Sequence, residues 1–176
     1  LDFLEEISIK KNGFTYNKET GRRIAAIIPV HVFGNPANLE LILKISKKWG
    51  IPLVEDSAEA LGSWYKIRGK SNLHCGLLGE IGVISFNGNK LITTGGGGVL
   101  ITNNEKIAKL AKHLSTTAKL NHQWESDHDH IAWNDRLPNL NAALGLAQME
   151  VLNERLNMKN QLFKRYEDSF KNIEDR

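Results

Sequence analysis

Residues 51–57 read "IPLVEDS", a short apolar run that ends in two carboxylates and a hydroxyl. Such a run is typical of a strand that is covered on both faces in a parallel sheet. We therefore expect Glu55 and Asp56 at the carboxyl end of a buried strand. Ligands of open α/β sheets collect outside that end of the strands, so the same stretch indicates where a site would lie.

The segments around this run alternate between strand and helix. Residues 24–33, "IAAIIPVHVF", are a nearly unbroken apolar run rich in β-branched residues, which predicts another strand. Apolar residues then recur at helical spacing from Asn38, which suits a helix N-cap, to Gly50, which suits a helix end. Residues 61–80 are polar and punctuated by glycine, so they indicate a connection.

The second half of the chain continues the alternation. Residues 81–86 and 97–103 predict two short strands, and residues 104–114 predict a helix. Residues 115–136 have no sustained periodicity and indicate a long surface loop. A long helix is predicted from Pro138 onward. The pattern as a whole indicates the α/β class.

Length and composition exclude several classes of protein. The 176 residues suit one ordinary domain. A net charge of +3, from 23 basic and 20 acidic residues that are scattered along the chain, is too mild for a nucleic-acid-binding protein. The single cysteine cannot form an internal disulfide, and no segment is typical of a membrane span or a targeting signal. We therefore expect a cytoplasmic protein that binds neither membranes nor nucleic acid.

One lysine lies in an unusual setting. In "SFNGNKLITTGGGG", residues 85–98, Lys90 stands between an Asn/Gly turn and four consecutive glycines, which suit a backbone that is closely approached by a neighbour or a ligand. Lys90 and Asp56 both follow strand-like runs, so they could share a site. A lysine that binds an aldehyde and an acid that holds a ring-nitrogen proton are the two groups that pyridoxal phosphate needs. The alternatives are a solvated lysine, an Asp56 that caps a turn and a plain glycine turn.

The residues around Lys90 do not match other known ligand-binding motifs. A phosphate-binding P-loop needs Gly-Lys-Ser/Thr, but Lys90 lies between Asn89 and Leu91. A dinucleotide fingerprint fails because Leu100 stands where its last glycine is required. The run "DHDH", residues 127–130, offers side chains that could bind a metal, but the sequence has no matching cluster elsewhere. No metal is therefore predicted.

Three motifs, in order, resemble a known family. The stretches "VEDSAEALGS", "SFNGNKLITTGGGGVLITN" and "WNDRLPNLNAALGLAQME" are similar to the DegT/DnrJ/EryC1/StrS sugar-nucleotide aminotransferases over residues 24–155. Within the family, the residues of these motifs most resemble those of the enzymes that aminate a UDP-4-keto-6-deoxy-N-acetylhexosamine on the way to bacillosamine or legionaminic acid.

The resemblance also implies a fold. It is the central part of the large domain of a fold-type-I transferase dependent on pyridoxal phosphate, with a mainly parallel sheet and flanking helices. Residues 1–176 would be a partial large domain, without the N-terminal loop for the cofactor phosphate and without the C-terminal small domain. The absence of an initial methionine and the helical pattern at the end of the chain also lead us to expect a fragment, which alone could be inactive.

The resemblance assigns roles to six residues. Lys90 and Asp56 would be catalytic, the first binding the cofactor aldehyde and the second holding the pyridinium proton. Glu59 would lie near the ring hydroxyl, where many relatives have glutamine. An ionised Glu59 cannot donate a hydrogen bond, so it would be protonated, face the substrate or bond through water. The remaining three cofactor-binding residues are Ala58 on the ring face, Ser85 at the phosphate and Asn134 at the phosphate of the neighbouring subunit.

The match around Asn134 is partial. Relatives usually read Gly-Tyr-Asn-Tyr-Arg where residues 132–136 of this chain read "AWNDR", so Asn134 and Arg136 are retained. Arg136 could hold a sugar-nucleotide diphosphate or form a salt bridge at a helix end. Without the family, Ser85 could equally cap a turn and Asn134 could close a loop.

The implied activity is an aminotransferase reaction. An amino acid, L-glutamate in relatives, would donate its amino group to a nucleotide-linked 4-keto-6-deoxy sugar, giving a 4-amino sugar for bacterial surface polysaccharide biosynthesis. The enzyme would be a cytoplasmic homodimer with shared active sites. Two alternatives remain: a non-catalytic or truncated module that binds sugar nucleotide or cofactor, and a sugar dehydratase that uses pyridoxamine phosphate. The dehydratases of the family carry histidine where this chain has Lys90.

Overall fold

The computed structural model describes residues 2–66, 72–122 and 124–171. These residues form two compact units. Unit 1 comprises the described residues within Leu1–Ser85 and Gly98–Arg136, and unit 2 those within Phe86–Gly97 and Leu137–Arg176. The expectation of a single partial domain over residues 1–176 stays a prediction. In the described part of the chain, no helix combines the length and apolar character needed to cross a membrane.

Unit 1 contains three α-helices, one short 3-10 helix and seven strands. The α-helices are α1 (Asp2–Ile7), α2 (Leu39–Trp49) and α3 (Glu105–Ser115). The strands are β1 (Ser8–Lys11), β2 (Phe14–Asn17), β3 (Val54–Asp56), β4 (Trp64–Tyr65), β5 (Leu73–His74), β6 (Ile81–Ser85) and β7 (Gly98–Ile101). Unit 2 contains α4 (Asn139–Glu150) and α5 (Leu152–Phe170).

The expectation of a mainly parallel sheet is only partly met. In the sheet β3-β6-β7, β3 pairs with β6 in parallel and β6 pairs with β7 antiparallel. The two remaining sheets, β1-β2 and β4-β5, are antiparallel hairpins. Because β7 runs antiparallel beside β6 and both hairpins close locally, most strand pairs among the described residues are antiparallel. The α/β class itself is confirmed.

The predicted strand over residues 24–33 is wrong as a continuous strand. This segment lies beside β3 and pairs in parallel only at isolated positions, Ile27 with Leu53 and Val30 with Asp56. Pro29 has no N–H to donate, which interrupts a ladder at its centre. The segment then tightens into a 3-10 turn at Val32–Gly34.

Helix α2 follows the sequence signals at both ends. The Asn38 side chain accepts a hydrogen bond from the Leu41 N–H, and Gly50 ends the helix with φ 65°. The buried face of α2 contributes Leu39 and Trp49 to the core of unit 1, which also includes Leu53, the residue before β3.

The helix predicted from Pro138 is real but interrupted. Helix α4 ends at Glu150 and α5 begins at Leu152, with φ −104° and ψ 10° at Val151 between them. The connection predicted over residues 61–80 contains the hairpin β4-β5, and its residues 67–71 lie outside the described part of the chain.

Candidate active site

Asp56 is the last residue of β3, at the carboxyl end of the strand as predicted. Its backbone N–H donates to the Pro29 carbonyl at 2.9 Å, and its carbonyl accepts from the His31 N–H at 3.0 Å. On the other side it is paired with Val83 of β6. The half-buried side chain accepts the Ala58 N–H at Oδ1, at 3.1 Å. Backbone on both sides and an amide donor therefore hold this carboxylate at the strand end.

Glu55, one residue earlier, is fully buried and accepts four hydrogen bonds. Its Oε1 accepts the N–H groups of Leu78 and Gly79, each at 2.7 Å. Its Oε2 accepts the Gly76 N–H at 2.9 Å and lies 3.0 Å from Nε2 of His31. A buried carboxylate is stable only when it is paired in this way.

The tautomer of His31 follows from its second contact. Its Nδ1 accepts the Ala37 N–H at 3.1 Å, so the imidazole is neutral and carries its proton on Nε2, which it donates to Glu55. This pair was missed from the sequence. The available signal was a carboxylate inside the apolar run "IPLVEDS" together with a histidine inside the apolar run before it.

Cys75 lies beside this buried carboxylate and is itself fully buried. Burial first, and the negative charge of Glu55 second, raise the pKa of its thiol to about 11. The thiol therefore remains protonated at neutral pH and is a poor nucleophile.

Ala58 and Glu59 form the turn after β3, in which the Ala60 N–H donates to the Ser57 carbonyl at 2.9 Å. Glu59 is exposed, and its Oε2 accepts the Phe33 N–H at 2.7 Å. Phe33 has φ 52°, a left-handed conformation that is unfavourable for a bulky residue. The Glu59 side chain therefore acts as an acceptor that helps to hold the Val32–Gly34 turn.

Ser85 and Asn134 also lie in unit 1. Ser85 is the half-buried last residue of β6 and pairs with Gly98 of β7. Asn134 is exposed, lies in an antiparallel bridge with Thr116, and accepts the Nε–H of Arg136 at its Oδ1, at 2.9 Å. Arg136 thus contacts the predicted phosphate-binding residue. The phosphate roles of both residues stay predictions.

Lys90 lies in unit 2, within a turn where its backbone N–H donates to the Asn87 carbonyl at 3.1 Å. It is half-buried and is followed by the buried Ile92 and Thr94. The expectation that Lys90 and Asp56 share one site stays a prediction, since they belong to different units.

The chain after Lys90 is held by α4, a feature that the sequence analysis did not foresee. The Asn141 side chain donates to the Thr94 carbonyl at 2.5 Å. A Cβ at Gly145 would lie 2.8 Å from Cγ2 of Thr94, so α4 approaches the loop closely. The motif "RLPNLNAALGLAQ" therefore contributes to the shape of the loop that carries Lys90.

The structure accounts differently for the individual glycines of residues 95–98. Gly95 and Gly97 have φ 80° and 89°, which favour glycine. A Cβ at Gly98 would lie 2.5 Å from the backbone oxygen of Ile84, so the adjacent strand itself makes the close approach. A Cβ at Gly96 would meet nothing within 4 Å.

The sequence profile of the DegT/DnrJ/EryC1/StrS aminotransferase family matches residues 16–176. The chain belongs to this family, which includes sugar aminotransferases dependent on pyridoxal phosphate.

Two proteins of known sequence illustrate how similar this chain is to its relatives. EpsN of Bacillus subtilis, whose assignment as a pyridoxal phosphate-dependent aminotransferase is provisional, is 38% identical over 160 residues, covering 89% of this chain and 39% of that protein. The UDP-4-amino-4,6-dideoxy-N-acetyl-β-L-altrosamine transaminase of Campylobacter jejuni is 31% identical over 175 residues, covering 95% and 45%. The chain thus spans less than half the length of these relatives.

A solved structure agrees with this placement. PseC of Helicobacter pylori, an aminotransferase of pseudaminic acid biosynthesis, matches with a TM-score of 0.76 and 28% identity, over 84% of this chain and 39% of that chain. The described α/β fold is therefore part of the aminotransferase fold.

Proposed function

We propose that the full-length protein transfers an amino group from an amino acid, L-glutamate in our proposal, to a nucleotide-linked 4-keto-6-deoxy sugar. The products are a 2-oxo acid and a 4-amino sugar nucleotide for a bacterial surface glycan. The family match over residues 16–176 is the observation that carries this proposal. The Campylobacter relative, named as a transaminase of a UDP-linked 4-amino-4,6-dideoxy sugar, supports the sugar class.

The residues of the chain fit the cofactor of the family. The Asp56 carboxylate, held at the carboxyl end of β3 by the Ala58 N–H, can accept a pyridinium N–H. Lys90 supplies the amine that binds an aldehyde. Pyridoxal phosphate, when bound, would supply an electron sink and a carrier for the amino group.

Each of the predicted site residues would have its own role in this reaction. Asp56 keeps a proton on the ring nitrogen. The Nζ of Lys90 takes the proton from the Cα of the amino donor. Ser85 and Asn134 bind phosphate, Asn134 in the neighbouring subunit of a homodimer, and its exposure is compatible with a partner.

Glu59 has a different part in this proposal. Because its carboxylate accepts the Phe33 N–H, we assign it to the turn beside the ring and to no proton transfer. Ala58, in the same turn, is half-buried and would pack on the ring face.

Borohydride trapping tests the assignment of Lys90. The full-length protein is mixed with pyridoxal phosphate, reduced with borohydride and digested, and the mass of the peptide that carries residue 90 is measured. We expect one reduced cofactor on Lys90, no such adduct in Lys90→Ala, and a normal adduct in Lys106→Ala, an exposed lysine of α3.

The same experiment separates the alternatives. An adduct on a different lysine would refute the role of Lys90. No adduct in the wild-type protein would favour a binding module without chemistry. If Lys90 is trapped but glutamate and a 4-keto sugar nucleotide give no amino sugar, the cofactor assignment stands and the proposed reaction is wrong.

A further inference from the structure

A cluster of three side chains lies where α3 meets the loop of residues 115–136. Nε2 of His113, in the last turn of α3, lies 2.6 Å from Oδ1 of Asp129. Nδ1 of His130 lies 2.9 Å from the same oxygen. One ligand atom from each residue lies within 4.8 Å of the other two. The sequence showed only the "DHDH" half of this cluster, because His113 is 16 residues before Asp129.

Backbone hydrogen bonds hold the cluster in place. The Ala118 N–H donates to the His113 carbonyl at 2.9 Å, and the Asp129 N–H donates to the Ala118 carbonyl at 3.3 Å. Ala118 is fully buried and, like Thr117, has a positive φ, 51° and 69° respectively. Non-glycine residues keep such a conformation only where the surrounding structure enforces it. Asp129 is thus joined to the end of α3 through the main chain.

The donor atoms of the cluster suit a divalent metal ion. Two imidazole nitrogens and one carboxylate oxygen form a set that Zn²⁺ and neighbouring first-row divalent ions accept.

The spacing also suits a small metal ion. Zinc ligands about 2.0–2.1 Å from the ion at tetrahedral angles lie roughly 3.3 Å from one another. The contacts of Asp129 at 2.6 and 2.9 Å are shorter than that spacing, so the side chains would rotate apart to admit the ion. His130 and Asp129 are partly exposed, which leaves a fourth position for water.

We propose that His113, Asp129 and His130 form a binding site for Zn²⁺ or a similar divalent transition-metal ion. The ion would replace the hydrogen bonds of the cluster and join α3 to the loop that carries Asn134. That loop is already paired to the same helix end, because Thr116 forms a bridge with Asn134 and the Asp135 N–H donates to the Ser115 carbonyl at 2.9 Å. The bound ion would therefore stabilise the conformation of the loop, and this role does not depend on the proposed reaction.

The test uses untagged full-length protein that has been freed of metal by dialysis against EDTA. Co²⁺ is titrated in and followed by its visible ligand-field absorption, and Zn²⁺ is then added as a competitor. We expect one equivalent of Co²⁺ to bind, to be displaced by Zn²⁺, and Zn²⁺ to raise the midpoint of thermal unfolding. His130→Ala and His113→Ala should each weaken Zn²⁺ binding by at least about tenfold, since even residues behind the ligands contribute ~10–100-fold.

His122→Asn is the matched control. His122 lies in the same loop, and its Nδ1 accepts the N–H groups of Trp124 and Glu125, which asparagine can also accept. We expect this variant to bind Zn²⁺ as the wild type does. His130 is half-exposed, so His130→Ala should fold even if His113→Ala does not. The proposal is refuted if the wild type binds no equivalent of metal, if His130→Ala binds it equally well, or if His122→Asn loses it to the same extent.

Discussion

Replacing Glu55 by glutamine removes one acceptor oxygen from a carboxylate that serves four donors. Whichever way the amide lies, its NH₂ group faces two donors: either Leu78 and Gly79, or Gly76 and His31. A shift of the His31 proton to Nδ1 does not rescue the second arrangement, because that nitrogen would then face the Ala37 N–H. Two hydrogen bonds to a charged group are therefore lost in either orientation.

Each such bond contributes about 1.5–3 kcal/mol, so we expect Glu55→Gln to lower the free energy of unfolding by about 3–6 kcal/mol. That is a large part of the ~5–15 kcal/mol that stabilises a typical domain. The assay is guanidinium chloride unfolding of the full-length protein without added cofactor, followed by circular dichroism.

The matched control is Glu105→Gln. Glu105 is an exposed residue that lies 2.6 Å from Lys109, an ion pair within one helix. Its loss should change the free energy of unfolding by no more than ~0.5 kcal/mol. A loss below ~1 kcal/mol for Glu55→Gln would show that the four hydrogen bonds do not stabilise the fold as argued.

Four further predictions concern a strand, the buried thiol of Cys75 and the candidate site. Gly98→Ala should lower the free energy of unfolding by about 1–3 kcal/mol, because its Cβ would lie 2.5 Å from a backbone oxygen, while Gly96→Ala should change it by less than ~0.5 kcal/mol in the same denaturation assay. Iodoacetamide at pH 8 should label Cys75 only after unfolding, because its folded pKa of about 11 keeps the thiol protonated; rapid labelling of the native protein, measured by mass, would contradict this. The raised pKa of Cys75 also makes stability depend on pH. Its contribution to the free energy of unfolding should be fully present below the unfolded pKa of about 9.0 and should be lost as the pH rises toward the folded pKa of about 11. Asp56→Asn should keep the fold but slow amino transfer by on the order of a hundredfold or more, and near-normal turnover with glutamate and a keto sugar nucleotide would mean that another acid holds the ring proton.

The helices were the most predictable part of the fold, because their signals are local. Asn38 and Gly50 bound α2 as expected, and the Asn104 side chain caps α3 through the N–H groups of Lys106 and Ile107. The interruption at Val151 was not predictable, because the apolar spacing continues across it.

The strands were less predictable. The Asn12–Gly13 pair, with φ 52° and 79°, forms the turn of the hairpin β1-β2, and this dipeptide is a strong local signal that the sequence analysis did not use. The share of parallel strand pairs was overestimated, because an apolar run indicates that a strand is buried but not the direction of the strand beside it. In the candidate site, the position of Asp56 at the end of β3 was confirmed. The pairing of His31 with Glu55 depends on residues 24 apart, and no local pattern encodes it.

The buried carboxylate also bears on the order in which unit 1 folds. The donors of Glu55 come from positions 21 to 24 residues away on both sides of the chain. Stripping water from this anion before those donors arrive would be strongly unfavourable, so β3 cannot be enclosed early. The strand pairing of the hairpin β1-β2 is local and can form first, and we expect closure around Glu55 to follow the rate-limiting barrier. A folding φ-value near zero for Glu55→Gln is the kinetic signature of that order, and a value near one would reverse it.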